Sequence, residues 1–328
     1  MASTPIVVIG GYLGAGKTTL VNHLLRHTGG RRVVVLVNDF GSTSIDADLI
    51  EGASDGVLAL AGGCACCSFG ADLVGTLQQA LARTPPPDVV LIECSGVGLP
   101  AAVARSAGLA RGAQVQGVAV LVDAAEAPRQ ARDPYMGDTV RQQWRDADLL
   151  ILNQADRVDA SALQAVAQQL ALGAPGTPQL VCSQALVPAE LVFGLQATAE
   201  DAARAWSLTA GRRADAAAPA AQRLRFFDRH IDGATDVRAL AAELAAPASG
   251  LLRAKGVVRG LDGALWLIQV MGRRFELAPA PASAAHAVGH VACIALATAA
   301  SQDAHRARAS VPHPNPLSKP GLAQSAMK

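Results

Sequence analysis

This chain takes its fold from the stretch Gly11-Tyr12-Leu13-Gly14-Ala15-Gly16-Lys17-Thr18. The stretch matches the pattern G-x-x-x-x-G-K-[ST], with a β-branched apolar run at residues 6–9 before it and an amphipathic helical pattern at residues 19–25 after it. Glycines let successive backbone N–H groups wrap a phosphate, and the positive end of the following helix adds to the same attraction. The motif therefore predicts a nucleoside triphosphate site between a strand and a helix.

Single residues of this loop have separate predicted roles. Lys17 is expected to reach the β- and γ-phosphates, and the Thr18 hydroxyl is expected to ligate Mg²⁺. The alternative is a Gly-rich turn that binds no ligand. The predicted nucleotide-binding residues of the loop are Gly11, Gly14, Ala15, Gly16, Lys17, Thr18 and Thr19.

Composition limits the classes of protein to consider. The chain has 328 residues, a formal net charge of +1 and no block of Lys or Arg, which argues against nucleic acid or an anionic membrane as a partner. The longest apolar runs are too short to span a bilayer, and the first residues lack the basic segment of a signal peptide. We therefore expect a cytoplasmic protein whose six cysteines are free thiols or metal ligands.

A second apolar run, residues 32–37, is typical of a buried parallel strand and ends in Asn38-Asp39-Phe40-Gly41. A nucleotide-binding domain of this class places its first switch segment at this point. Asp39, and with it Asp46 and Asp48, could contact a metal ion directly or through water. The alternative for each is a carboxylate in a solvated loop.

Three thiols are concentrated in Cys64-Ala65-Cys66-Cys67, directly after two glycines. Deprotonated thiols are soft ligands for ions such as Zn²⁺ or Cu⁺, and three local ligands leave a coordination position open for exchange. A redox switch through a disulfide and purely structural thiols are the alternatives. The isolated cysteines Cys94, Cys182 and Cys293 lie in apolar surroundings and are predicted to be small core residues.

Another buried strand, residues 88–92, delivers Glu93-Cys94-Ser95-Gly96. An acid at the end of a strand beside the phosphate loop can orient Mg²⁺ and its water shell. Gly96 could place a backbone N–H near the γ-phosphate. Glu93 is therefore predicted to act with Lys17 and Thr18 in catalysis, the alternative being a solvent-facing acid.

Base recognition is predicted at Asn153-Gln154-Ala155-Asp156, which follows the apolar run 149–152. A carboxylate at Asp156 would accept two hydrogen bonds from guanine, whereas adenine offers no such pair of donors. Gln154 occupies a position where this motif usually has Lys. Guanine is therefore favoured over adenine or loose specificity.

Strands alternate with helical segments of 10–15 residues as far as about residue 195. This pattern predicts an α/β fold with a doubly wound, mostly parallel sheet that binds its ligand at the carboxyl ends of the strands. A strand at 223–228, a helix at 235–244 and hairpin-linked strands then predict a small α+β domain. The predicted domains are 1–196 for nucleotide binding, 197–221 as a linker, 222–300 for the C-terminal domain and 301–328 as a disordered tail.

Taken together, these motifs resemble the CobW family of P-loop GTPases. The family pattern is matched at residues 11–19, at 38–41, at the cysteines, at 93–96 and at 153–156, and the segment 251–256 resembles its C-terminal domain. The resemblance implies a metallochaperone that hydrolyses GTP with Mg²⁺ and passes Zn²⁺, or in some members Co²⁺, to a client metalloprotein. A cobalt-insertion protein of cobalamin synthesis is one alternative within the family.

Three departures from the family pattern limit this inference. Val37 and Ser42 stand where many members have metal-binding Glu, so the metal site rests on the cysteines, with Asp39 as a further candidate. Gly98-Leu99-Pro100 replaces the usual Ala-Asp-Pro, and the His-rich stretch between the domains is absent.

The resulting expectation is a GTPase with slow intrinsic hydrolysis that a client stimulates, because the sequence offers no catalytic Gln or Arg finger. A redox-sensing regulatory protein and a small-molecule kinase are the rivals from other classes. A homo-oligomeric state stays open.

Overall fold

The computed structural model describes residues 3–37, 57–59, 69–194, 224–280 and 288–296. All of them lie in one compact unit, Met1–Leu296. Asp39, the cysteine motif and the ends of all predicted domains fall outside these ranges, so the domain boundaries stay predictions.

The first sheet contains seven described strands, all parallel, in the order β3-β2-β4-β1-β5-β6-β7. The chain builds one half of the sheet outward from central β1, returns through β4, and then builds the other half, so the sheet is doubly wound. The strands are β1 (Thr4–Gly11), β2 (Val33–Val37), β3 (Val57–Ala59), β4 (Val89–Glu93), β5 (Ala113–Asp123), β6 (Leu149–Asn153) and β7 (Gln179–Val181).

Helices cover both faces of this sheet. Successive residues of β1 enter opposite cores, since Ile6 and Val8 pack on one side and Val7 and Ile9 on the other. This burial of both faces explains why the strands are continuous apolar runs rather than alternating ones. The helices are α1 (Lys17–Arg26), α2 (Phe69–Leu81), α3 (Pro100–Ala107), α4 (Ala127–Gln130), α5 (Gly137–Asp146), α6 (Ala160–Gly173) and α7 (Ala189–Phe193).

The second sheet has the order β12-β11-β10-β13-β8, and the short β9 also pairs with β10. One helix, α8 (Val237–Ala245), packs on one face of it, and the Asp236 carboxylate caps this helix by accepting from the N–H groups of Arg238 and Ala239. The strands are β8 (Leu224–His230), β9 (Ala234–Thr235), β10 (Leu251–Gly260), β11 (Leu265–Met271), β12 (Arg274–Pro279) and β13 (His290–Leu296).

The two sheets pack against each other through β5 and the hairpin of β11 and β12. Met271 belongs to the same core as Ile9, and it lies so close to Gly117 on β5 that a Cβ there would come within 2.7 Å of its sulfur. Arg274 Nε donates to Val115 O at 3.1 Å. The nucleotide-binding sheet and the second sheet therefore share buried surface.

The predicted fold class is confirmed: a doubly wound parallel sheet is followed by a smaller α+β region. The sequence did not predict β13, because residues 290–296 form an Ala-rich apolar run without alternation, and β9 is too short for any periodic signal. Among the described helices, none combines the length and the apolar character needed to cross a bilayer.

Candidate nucleotide site

The phosphate loop leaves β1 at the centre of the sheet and enters α1 at Lys17. Three of its glycines have positive φ, with values of 133° at Gly11, 79° at Gly14 and 98° at Gly16. L-residues with a side chain rarely adopt this region. The sequence spacing thus places glycine where the backbone needs it.

Two of these glycines also lack space for a side chain. A Cβ on Gly11 would collide with the carbonyl oxygen of Leu121 on β5. A Cβ on Gly16 would lie 2.6 Å from Asn153 Nδ2. The neighbouring strands β5 and β6 therefore pack closely against the backbone of the phosphate loop.

The predicted catalytic residues Lys17, Thr18 and Glu93 come together at the carboxyl edge of the sheet. Glu93 pairs in register with Ile9, just before the loop, and its side chain is buried. Thr18 Oγ1 donates to Glu93 Oε1 at 2.9 Å, and Lys17 Nζ donates to Tyr12 O at 3.3 Å. A hydroxyl and a carboxylate in contact are the hard oxygen donors that Mg²⁺ prefers, so this pair fits that ion.

The segment after β4 is held against the phosphate loop. A Cβ on Gly96 would lie 2.9 Å from the backbone nitrogen of Leu13. On the other side, the buried side chain of Gln143 on α5 donates from Nε2 to Gly96 O at 3.0 Å and to Gly98 O at 2.8 Å. Gln143 was not predictable from the sequence, because nothing in a helical Gln signals a contact 47 positions away.

Asn153 contacts protein groups on both ends of its amide. Its Nδ2 donates to Ala15 O at 3.0 Å, and its Oδ1 accepts from the backbone N–H of Ala185 at 2.8 Å. The side chain is buried. In the structure Asn153 therefore joins the phosphate loop to the segment after β7.

Gln154 also reaches the phosphate loop, donating from Nε2 to Gly14 O at 2.8 Å. The carboxylate of Asp156 is exposed and has no hydrogen-bond or ion-pair partner in the described ranges. The backbone N–H of Asp156 donates to Ser183 Oγ at 3.2 Å. The carboxylate is thus available to a ligand.

The segment Ser183-Gln184-Ala185 was not singled out by the sequence, although it lies beside both predicted base-recognition residues. Gln184 and Ala185 have positive φ, 52° and 54°, without being glycine. Non-glycine residues in this region mark strained or functional backbone. No short sequence signal could have found this segment, because its position depends on the pairing of β7 with β6.

A scan against protein-family models matches residues 5–179 to the model described as "CobW/HypB/UreG, nucleotide-binding domain". The chain belongs to the CobW/HypB/UreG family. The match covers more than half of the chain and runs from the phosphate loop through Asn153 and Asp156 to the start of β7. The resemblance stated from the motifs is confirmed.

Curated relatives of this CobW/HypB/UreG protein are named for zinc. It is 32% identical over 232 residues to "Zinc chaperone CobW" of Pseudomonas aeruginosa, covering 61% of this chain and 62% of that protein. It is 30% identical over 159 residues to "Zinc chaperone YjiA" of Escherichia coli, covering 46% and 49%. The chain therefore spans less than two thirds of the length of these relatives. The crystal structure of Zn(II)-bound YjiA GTPase from E. coli aligns at 19% identity over 95% of this chain and 100% of that one, with a TM-score of 0.42.

The cysteines of this CobW/HypB/UreG domain fall into two groups. Cys64, Cys66 and Cys67, together with Asp39, lie outside the described residues, and within those residues no cluster of three or more metal-ligating side chains occurs. Cys94, Cys182 and Cys293 are buried free thiols, and burial raises the pKa of each to about 12. These three are core residues, as the sequence predicted.

Proposed function

We propose that this chain is a GTPase that carries Zn²⁺ on Cys64, Cys66 and Cys67 and hands it to a client metalloprotein when GTP is hydrolysed. The observation that carries the nucleotide half is the contact of Thr18 with Glu93 at 2.9 Å beside the glycine loop. A glycine loop at the start of a helix, next to hard oxygen donors, suits a triphosphate with its metal ion. The names of the relatives support the zinc half.

In this proposal the residues of the phosphate loop and Glu93 each have a separate role in binding the phosphates. Thr18 and Glu93 would hold Mg²⁺, which neutralises charge on the phosphates when bound. Lys17, whose stem is buried, contributes a fixed positive charge at the helix start. The helix N-terminus adds its dipole to the same place.

Guanine recognition is proposed for Asp156. Its exposed, unpaired carboxylate can accept from two donors of guanine, and loses that interaction with adenine. Asn153 acts through the protein, since two of its hydrogen bonds join the phosphate loop to the Ser183–Ala185 segment. Asp156 would therefore determine the specificity for guanine, and Asn153 would fix the distance between the base-binding and phosphate-binding segments.

Coupling to metal is proposed to run through the edge of the sheet. Strand β3 ends at Ala59 on the carboxyl side, the side of the phosphate loop, because all strands of this sheet are parallel. In sequence the three cysteines lie between that strand end and the start of α2 at Phe69. A change at the γ-phosphate would then alter the thiolate geometry and release the metal.

A metal titration tests this proposal. Reduced protein is titrated with Zn²⁺ and with Co²⁺, with and without GTP and Mg²⁺, beside a variant in which Cys64, Cys66 and Cys67 are all Ser. Stoichiometric Zn²⁺ binding that is lost in the triple variant and changes with nucleotide is expected. Cys293→Ala, which alters a buried thiol of the second sheet, is the matched control and should bind as the wild type does.

Two outcomes would contradict the proposal. Metal binding that is independent of the three cysteines in every nucleotide state would leave only a GTPase. Fast single-turnover hydrolysis without a partner would contradict the expected stimulation by a client. Lys17→Ala serves as the control that should abolish hydrolysis with or without a client.

A further inference from the structure

A cluster of three basic side chains lies where the second sheet meets the nucleotide-binding sheet. This basic cluster consists of Arg31, which follows α1, and of Arg253 and Lys255 on β10. Gly194 connects the first two: its carbonyl accepts from Arg31 Nη2 at 3.0 Å, and a Cβ on it would lie 2.7 Å from Arg253 Nη2. Arg253 and Lys255 are two apart on a strand and so point to the same face.

The arginines of the basic cluster are buried with donors that have no acceptor. Arg253 is 1% exposed, and in the described part of the chain its side chain makes one hydrogen bond, from Nη2 to Gln116 Oε1 at 3.3 Å. Four buried donors find no hydrogen-bond partner among the described residues: Arg253 Nε, Arg253 Nη1, Arg31 Nε and Gln116 Nε2. An unsatisfied buried donor costs about 1–3 kcal/mol, and more when it is charged. Four such donors in one place therefore require an explanation.

Within the described residues, two members of the basic cluster, Arg253 and Lys255, have no compensating negative charge. The pKa of Arg253 is lowered to about 10, mainly by burial and to a smaller extent by the positive charge of Arg31. The pKa of Lys255 is lowered to about 8, mainly by burial and to a smaller extent by the positive charges of Arg253 and Arg31. No carboxylate acts on either residue among the described parts of the chain. Glu190 and Asp88 raise the pKa of Arg31, the third member, but burial outweighs them and lowers it.

We propose that the basic cluster is a binding site for a small oxyanion of the phosphate class. Every unsatisfied group is a donor, and the charged ones are all positive, so the complementary ligand accepts several hydrogen bonds and carries negative charge. Water could accept from a donor or two but would leave the buried charge uncompensated. A metal ion is excluded by the sign of the charge.

The site is distinct from the phosphate loop. Gln116 lies near the start of β5, whereas the phosphate loop adjoins the other end of the sheet, beyond Leu121 of the same strand. Gln116 and Asp123 are seven residue steps apart on this strand, roughly 20 Å at the rise of a β-strand. Binding at the two places can be measured separately, and the inference does not rest on the proposed GTPase activity.

Calorimetric titration of the full chain with inorganic phosphate, at an ionic strength kept constant with chloride, tests the proposal. Saturable binding is expected in the wild type and also in Lys17→Ala, which removes the lysine of the phosphate loop. Lys255→Met should weaken the phosphate affinity at least about tenfold, because it deletes one charged donor at the rim of the site. Arg259→Met, an exposed arginine of the same strand, is the matched control and should bind as the wild type does.

A second variant tests the proposal by adding a compensating negative charge, so that the result does not depend on a substitution that destabilises the fold. Gln116→Glu places a carboxylate next to Arg253 and removes an unsatisfied donor. It should raise the melting temperature in chloride buffer and, when combined with Lys17→Ala, abolish the phosphate binding that Lys17→Ala alone retains. The proposal is overturned if phosphate binds the wild type no better than chloride does, or if Lys255→Met and Gln116→Glu, each combined with Lys17→Ala, bind phosphate like Lys17→Ala alone.

Discussion

Asn153 Nδ2 donates to Ala15 O at 3.0 Å across 138 positions of sequence, and the other end of the same amide accepts from Ala185 N. One buried side chain thus fixes the phosphate loop relative to the segment beside the predicted base-recognition carboxylate. The Asn of this motif therefore contacts the protein itself, whereas the Asp156 carboxylate is exposed, as the proposed contact with a base requires.

Replacing this amide should loosen both segments at once. Asn153→Ala leaves Ala15 O and Ala185 N without their partner, so the free energy of unfolding should fall by about 1–3 kcal/mol and nucleotide affinity should fall with it. Urea denaturation and a nucleotide titration measure the two effects. Gln154→Ala, which removes a hydrogen bond to the same loop from an exposed side chain, should cost less than about 1 kcal/mol. Equal losses in both variants would argue against the role of Asn153.

Asp156 should determine base preference without affecting stability. Its carboxylate is exposed and makes no hydrogen bond or ion pair with the described residues that Asp156→Ala could break, so the melting temperature should stay unchanged. The preference for GTP over ATP, measured by competition, should fall at least about tenfold, which corresponds to the loss of a charge-assisted hydrogen bond. An unaltered preference would assign base recognition to other groups.

The glycines of positive φ should differ in their tolerance of a methyl group. Gly11→Ala combines an unfavourable φ with a collision against the Leu121 carbonyl, and should cost about 2–5 kcal/mol. Gly112→Ala is the control: its φ of 85° is also positive, but nothing lies within 4 Å of the new Cβ, so about 1–2 kcal/mol is expected. Chemical denaturation compares the two, and similar costs would show that the backbone conformation alone matters.

Lys255 should make stability depend on pH at the alkaline end. Its pKa is lowered, first by burial and then by Arg253 and Arg31, to about 8 from the ordinary 10.5. Below pH 8 the ammonium is charged in both states, and the folded protein bears the whole cost of burying it. Between about 8 and 10.5 the unfolded chain binds more protons, so the free energy of unfolding rises with pH.

Denaturation in chloride buffers across this pH range measures the effect. Lys255→Met should remove the rise, whereas the exposed Arg259→Met should keep it. Saturating phosphate should flatten the profile of the wild type, since a bound anion favours the charged lysine. A wild-type stability that falls across the window would contradict the assignment.

Much of the fold was predictable because its signals are local. The apolar runs that became β1, β2, β4 and β6 are buried on both faces, and such strands need no alternation to be recognised. The glycine loop was predictable for a similar reason, since its spacing reflects backbone conformation within one turn. The hairpin strands β10 and β11 were recognisable from the turn signal between them.

The contacts that organise the site were not predictable in the same way. Gln143, Ser183 and Ala185 have ordinary residue types for their positions, and each acquires a role from a partner far away in sequence. The basic cluster is a still clearer case. Arg253 on its strand has the appearance of a surface arginine, and only the packing of β10 against the first sheet buries it.

The sequence by itself determined the strand-loop-helix of the phosphate loop, the alternation of strands and helices in the first sheet, and the family, because each depends on residue types at short, fixed spacing. Only the tertiary structure decided what each side chain contacts. Asn153 contacts the phosphate loop, Asp156 faces solvent, and Arg253 is buried between the two sheets. The physical reason is that burial and hydrogen-bond partners depend on which strands are neighbours, and strand pairing joins segments more than a hundred residues apart.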